Sequence, residues 1–122
     1  MNFEELQAGL LCVRYAEVDD LKVDQQRHLL ARLEERRGPV VIIFEVGEAV
    51  RSVPMEVPTF WLGVTGRLEL RLAGMAIVTR SAGVRVAARG FALANVARRV
   101  PTAVQTFDKL EDASAWGQSL LS

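Results

Sequence analysis

Few residues in this chain have types and spacing suited to chemistry, and several of them fall in one stretch, "MAIVTRSAGVR" (75–85). An apolar run there ends in Thr79, Arg80 and Ser81 and passes into a pattern that alternates Arg85 and Arg89 with Ala and Val. A strand that brings a hydroxyl and guanidinium groups to the first turn of a helix can bind an anion, because free backbone N–H groups and the helix dipole both favour negative charge there. Ser81 has two readings in that setting: an ordinary N-cap, or one wall of an anion site with Arg80 or Arg85 adding charge. No phosphate-loop signature supports the second. Gly83 and Gly90 do not make G-x-G-x-x-G, and "GVTGR" (63–67) lacks the Gly-Lys-Ser/Thr ending.

Other reactive types are scarce. His28 is the single histidine, so any Ser-His-Asp or Cys-His set must use it, and its helix places it four residues from Asp24 on a surface-leaning face. Cys12 is the single cysteine and lies inside the apolar "GLLCVRY", where it reads as a small core residue. One cysteine excludes a disulfide within the chain, and neither a metal site nor a cofactor is expected. The chain therefore reads as a non-enzyme. The remote alternative is an enzyme acting on a phosphorylated small molecule at the Ser81 helix start, which would need His28 or a perturbed carboxylate as general base. Phe60 and Trp61 are adjacent and cannot both face one core from a helix or strand, so one of them marks a binding surface or sits beneath a loop. Phe60, Trp61, Arg80, Ser81, Arg85 and Arg89 make up the candidate partner-binding set.

Positioning these residues requires a regular scaffold, and the hydrophobic periods supply one. "LLCVRYAEV" (10–18) reads as a half-exposed strand near a sheet edge, with Leu10, Cys12 and Tyr15 inward. "DQQRHLLARLEERRG" changes to a helical period: Gln26, Leu29, Leu30 and Leu33 share a face, Asp24 is the expected N-cap, and Gly38-Pro39 the stop. "PVVIIFEV" (39–46) has no polar residue before Glu45, as a central strand covered on both faces requires. "GMAIVT" (74–79) and the weaker "TAVQTF" (102–107) are further strands. A helix beginning near Pro58 lies between the first two of these three strands, and one with Val84, Ala87, Ala88, Phe91 and Asn95 on a stripe lies between the last two. "EDASAWGQSLL" closes the chain as a helix with Asp108 as N-cap and Ala113, Trp116 and Leu120 inward. This order predicts an α/β fold: a mostly parallel four- to five-stranded sheet with crossover helices.

The 122 residues suit a single domain spanning 1–122, a size able to bury roughly two thirds of its unfolded surface. Formal net charge is zero, but residues 1–50 carry net −4, residues 51–101 net +6 and residues 102–122 net −2. A basic middle between acidic flanks fits an anion footprint, self-complementary association or neutralisation within the fold. The pI near 6.6 argues against a nucleic-acid binder. No apolar stretch reaches the roughly 20 residues of a membrane span, and Glu4 and Glu5 stand where a signal peptide would carry positive charge. A cytoplasmic location is expected.

Three phrases carry a family resemblance: "PVVIIFEV" as central strand, "LAGMAIVTRSAGVRVAARGF" as a strand running into a helix, and "VQTFDKLEDASAW" as last strand and closing helix. From about Leu10 onward the chain resembles the STAS-type fold of anti-sigma-factor antagonists, and more closely its bacterial SpoIIAA-like branch, which is related to the CRAL-TRIO lipid-binding proteins. The resemblance implies a non-catalytic regulatory or protein-interaction module that binds a protein partner or forms a homodimer. The CRAL-TRIO relation implies, as the alternative, a small-ligand or lipid-binding domain whose apolar "VPTFWLGV" segment lines a pocket. Anti-sigma antagonists switch by phosphorylation of a Ser in an Asp-Ser-Ser-Gly-like turn after the central strand, and "EVGEAVRSVPMEVPTF" has no such turn. Ser52 and Thr59 are the hydroxyls in that region and the candidates for phosphorylation.

Overall fold

The computed structural model describes residues 2–68 and 71–122. The elements run β1 (Asn2–Gln7), β2 (Leu10–Tyr15), a 3-10 turn (Val18–Leu21), α1 (Val23–Glu34), β3 (Val40–Val46), α2 (Glu56–Leu68), β4 (Leu72–Val78), α3 (Ala82–Ala97), β5 (Ala103–Phe107) and α4 (Leu110–Leu121). Glu69 and Leu70, in the predicted connection between α2 and β4, lie outside the described residues.

Strand order follows chain order, β1-β2-β3-β4-β5. β1 is antiparallel to β2, and every other pairing is parallel. Because each crossover steps the same way across the sheet, α1, α2 and α3 all fall on one face. There Leu29, Leu30 and Leu33 of α1, Trp61 and Val64 of α2, and Val84, Ala88 and Phe91 of α3 pack with Leu11, Val13, Ile42, Phe44, Met75 and Ile77 of the strands. α4 packs on the opposite face, where Ala113 meets a smaller cluster of Leu10, Cys12, Val41, Ile43, Ala76 and Val78. β3 is thus the middle strand with helices on both sides, and its residues Val40 to Phe44 are all buried. Among the described residues no helix is long and apolar enough to cross a membrane.

Several local expectations need correction. Leu10 to Tyr15 does not form a half-exposed edge: every residue of β2 except Arg14 is buried, because "NFEELQ" adds β1 outside it. Lys22 rather than Asp24 occupies the N-cap of α1, since the 3-10 turn feeds straight into the helix, leaving Asp24 in the first turn and paired with Arg27. That helix ends at Glu34, four residues before Gly38. Pro58 is the third residue of α2, still within the first turn. Asp108 does not cap α4: the cap position belongs to Lys109, and the Asp108 carboxylate is drawn to Arg85. Leu120 lies across Gly74 but keeps 36% exposure, while Gly117 takes the buried position expected of it.

Candidate functional site

The strand-to-helix corner at Thr79–Arg85 is closed by its own hydrogen bonds. Ser81 Oγ accepts from the Val84 amide at 3.4 Å, which makes it the N-cap of α3. The same hydroxyl donates to the Arg51 carbonyl at 3.2 Å, and the Ser81 amide donates to Thr79 Oγ1 at 3.0 Å. Arg85 donates to the Thr79 carbonyl at 3.3 Å and pairs with Asp108. A Cβ on Gly83 would run into the Arg51 carbonyl oxygen, so the 51–52 backbone lies directly over the first turn. Arg80 and Arg89 project into solvent.

Phe60 and Trp61 divide as their adjacency demands. Trp61 keeps only 3% exposure and stands edge-on to Phe44, with ring centroids 5.4 Å apart. Phe60 is half-buried, edge-on to Trp61 at 5.5 Å. Trp61 Nε1 donates to Gln26 Oε1 at 3.1 Å, and Tyr15 Oη donates to the same oxygen at 2.6 Å. Gln26 Nε2 in turn donates to the Asp20 carbonyl at 3.3 Å. One fully buried amide thus joins β2, the 3-10 turn, α1 and α2. Burial pushes the Tyr15 hydroxyl far above its ordinary pKa, so it remains a neutral donor.

Beside this hub is a cavity of about 80 Å³, partly open to the surface. It lies toward the carboxyl ends of the parallel strands, between the sheet, α2 and α3, where open α/β sheets commonly receive ligands. Phe44, Val57, Pro58, Trp61, Ile77 and Ala88 are among its walls. Its surface is apolar because the polar atoms nearest to it, on Tyr15 and Trp61, are spent on Gln26. Of the "VPTFWLGV" segment that the CRAL-TRIO relation set against a pocket, Val57, Pro58 and Trp61 line this one. The contributions of Phe44, Ile77 and Ala88 come from β3, β4 and α3 and carry no local signal.

α3 has a second side. Its buried stripe is Val84, Ala88, Phe91 and Asn95, yet Val86, Leu93 and Val96 are 72, 64 and 73% exposed. Three large aliphatic residues facing solvent on one helix went unremarked in the sequence, although their position off the inward stripe was the available signal. No Asp or Glu occurs between Ala82 and Ala97. Ser52 and Thr59 are exposed; Thr59 Oγ1 donates to the Met55 carbonyl at 2.8 Å. His28 is exposed on α1, which packs on α2, while the Ser81 corner opens α3 on the other side of α2. Cys12 is wholly buried, and that burial raises its thiol pKa.

An order of elements in which a β-hairpin leads into three parallel βα crossovers and a closing helix on the far face can be set against known folds. A solved structure of an uncharacterized DUF3478-family protein from Shewanella loihica PV-4, described as SpoIIAA-like, superposes with a TM-score of 0.56 over 95% of this chain and 90% of the other. The fold is SpoIIAA-like. Sequence identity between the two is 16%, so the likeness extends to architecture alone. No protein-family model and no curated protein matches the chain. Within this SpoIIAA-like frame the hairpin strand β1 is the part that the sequence resemblance, starting near Leu10, left out.

Proposed function

We propose that the protein is a non-catalytic, cytoplasmic regulatory module that works by docking a protein partner on the outward side of α3. One observation carries this reading: Val86, Leu93 and Val96 stand exposed along a single helix. Large aliphatic side chains aligned on one helix face lose contact with water only when a partner covers them, and a patch of this kind on a small domain points to an interaction surface. Arg89 beside them and the absence of acids on α3 add a positive field that orients a partner as it approaches. The Ser81 corner supports this role by fixing α3 to the sheet through Thr79 and to the 51–52 backbone.

The test is site-specific photo-crosslinking in cells of the source organism. A photoreactive residue replacing Leu93 should give a discrete protein adduct, and one replacing Gln118 on exposed α4 should not. Equal labelling at both positions, or none at Leu93, overturns the reading.

A second reading is favoured by the apolar cavity beside Trp61: a binding site for a small apolar molecule. At about 80 Å³ it is roughly half the size of an engineered cavity that takes up benzene. A ligand larger than a few heavy atoms therefore requires the start of α2 to move outward. Native mass spectrometry of protein purified from its source should then reveal a co-purifying apolar molecule, and titration with it should change Trp61 fluorescence. A ligand-free spectrum, with no fluorescence response to short-chain fatty acids or alkanols, rules this reading out.

A further inference from the structure

α3 carries two apolar stripes, and the fold uses one of them. Val84, Ala88, Phe91 and Asn95 face the sheet at steps of four, three and four residues. Val86, Gly90, Leu93 and Ala97 repeat those steps two residues later, which at about 100° per residue turns them to the opposite side of the helix. All four are exposed. A surface helix ordinarily sets a polar face against its buried one. This helix presents instead a second seam of the kind that packs against another helix, and no described element covers it.

Two features of the seam say what fits it. Glycine inside a helix weakens it relative to alanine, yet a Cβ on Gly90 would meet nothing within 4 Å, so nothing within the fold requires a glycine there. Without a side chain the helix surface dips between Val86 and Leu93, and such a dip accepts a large side chain from a helix lying across it. The second feature is charge. Arg89, three residues from Val86 and four from Leu93, borders the seam, while Arg80 and Arg99 stand just beyond its ends. Among the described residues none of these three guanidinium groups has an ion-pair partner, whereas Arg85 is taken by Asp108 and Arg98 by the Leu62 carbonyl.

We propose that the seam of Val86, Gly90, Leu93 and Ala97 receives an amphipathic α-helix of a different protein, with a large apolar side chain over Gly90 and Asp or Glu along the edge that meets Arg89. At 1.5 Å per residue the seam is about 17 Å long, so the partner segment spans about three turns. Two copies of this chain meeting through the same face would bring Arg89 against Arg89, and α3 has no acid between Ala82 and Ala97 to offset them. A lipid surface is bound through bulky and aromatic side chains, whereas this seam has a glycine at its centre and no aromatic residue. The inference rests on the reading of α3 as a docking face and states the chemistry of its partner.

Photoreactive residues replacing Val86, Leu93 or Val96 in the full chain, in cells of the source organism, should each give a protein adduct whose crosslinked site is read by mass spectrometry. The sites should fall within one partner segment of about a dozen residues, three, four or seven apart, with more Asp and Glu than Lys and Arg. A synthetic peptide of that segment should bind the purified protein and gain helical circular dichroism as it does. Gly90→Gln should weaken that binding at least about tenfold while leaving the thermal midpoint equal or higher, because the new side chain has free space in the unbound protein and blocks only a close approach from outside. Arg89→Glu should weaken it at least about fivefold, and a peptide with its acids replaced by lysine should prefer this variant to the wild type. Crosslinked sites in a strand or loop, an excess of basic residues in the segment, or full affinity in Gly90→Gln overturns the proposal and leaves the docking reading standing. An adduct with a second copy of this chain does the same. Lipid adducts alone, or no adduct at Leu93, overturn both.

Discussion

On one face of the sheet three helices surround the cavity beside Trp61; on the other a single helix lies so close that glycines occupy the contact. A Cβ on Gly117 of α4 would come within 2.6 Å of Leu10 Cδ1 and 3.1 Å of Val41 Cγ1. A Cβ on Gly74 of β4 would meet Leu120 at 2.6 Å and the Trp116 ring at 2.9 Å. The α4 face is filled to the limit of its shape. The three-helix face contains the larger apolar cluster together with the buried polar hub at Gln26 and the void. The difference teaches where the packing has slack: the α4 face has none at its glycines, and the three-helix face keeps the void beside Trp61.

Four predictions sharpen or break this contrast. The largest effect should come from the hub. Gln26→Leu leaves the buried Tyr15 hydroxyl and Trp61 indole N–H without an acceptor, at a cost of roughly 3–4 kcal/mol for the two orphaned donors. Urea unfolding measures it, and a loss below about 1 kcal/mol would show that both donors find other acceptors or water. Gly117→Val should cost roughly 2–3 kcal/mol through overpacking against Leu10 and Val41. A near-neutral result there would mean that α4 can shift outward and that the two faces do not differ in tightness.

Filling the void should do the opposite. Ala88→Val places a larger side chain at the cavity wall and should leave stability unchanged or raise it by up to about 1 kcal/mol, while abolishing any response to small apolar molecules. Destabilisation beyond about 1 kcal/mol would reveal a wall already in full contact. The smallest effect concerns Cys12, buried under the α4 face, where desolvation raises the thiol pKa. A thiol held protonated by burial stabilises the native state below its unfolded pKa and loses that contribution as pH rises through the native value. Native protein at pH 8 should therefore react with a maleimide at least about 100-fold more slowly than protein in denaturant. Comparable rates would place local opening on the α4 face.

The parts legible in advance were those governed by local period. The helical stripe of Leu29, Leu30 and Leu33, the unbroken apolar β3 and the Ser81 cap each depend on spacing within a dozen residues, and the fold preserved all three. β1 was missed because an edge strand carries polar residues on both faces: "NFEELQ" has no alternation to read. Asp108 looked like a cap for α4, yet Arg85, distant in sequence, took it. Gln26 was recognised as inward, but that it would accept from Tyr15 and Trp61 depended on where β2 and α2 came to rest.

By itself, then, the sequence determined the class of object: an α/β chain with a buried central strand, three crossover helices and a basic middle between acidic flanks. Apolar period and charge order are properties of neighbouring residues, and short-range sterics and solvation act on them directly. The tertiary structure alone decided which faces stay empty or open. The cavity beside Trp61 and the outward aliphatic side of α3 are relations between elements far apart in the chain, created when helices of fixed width pack over a sheet whose strand order no local pattern encodes.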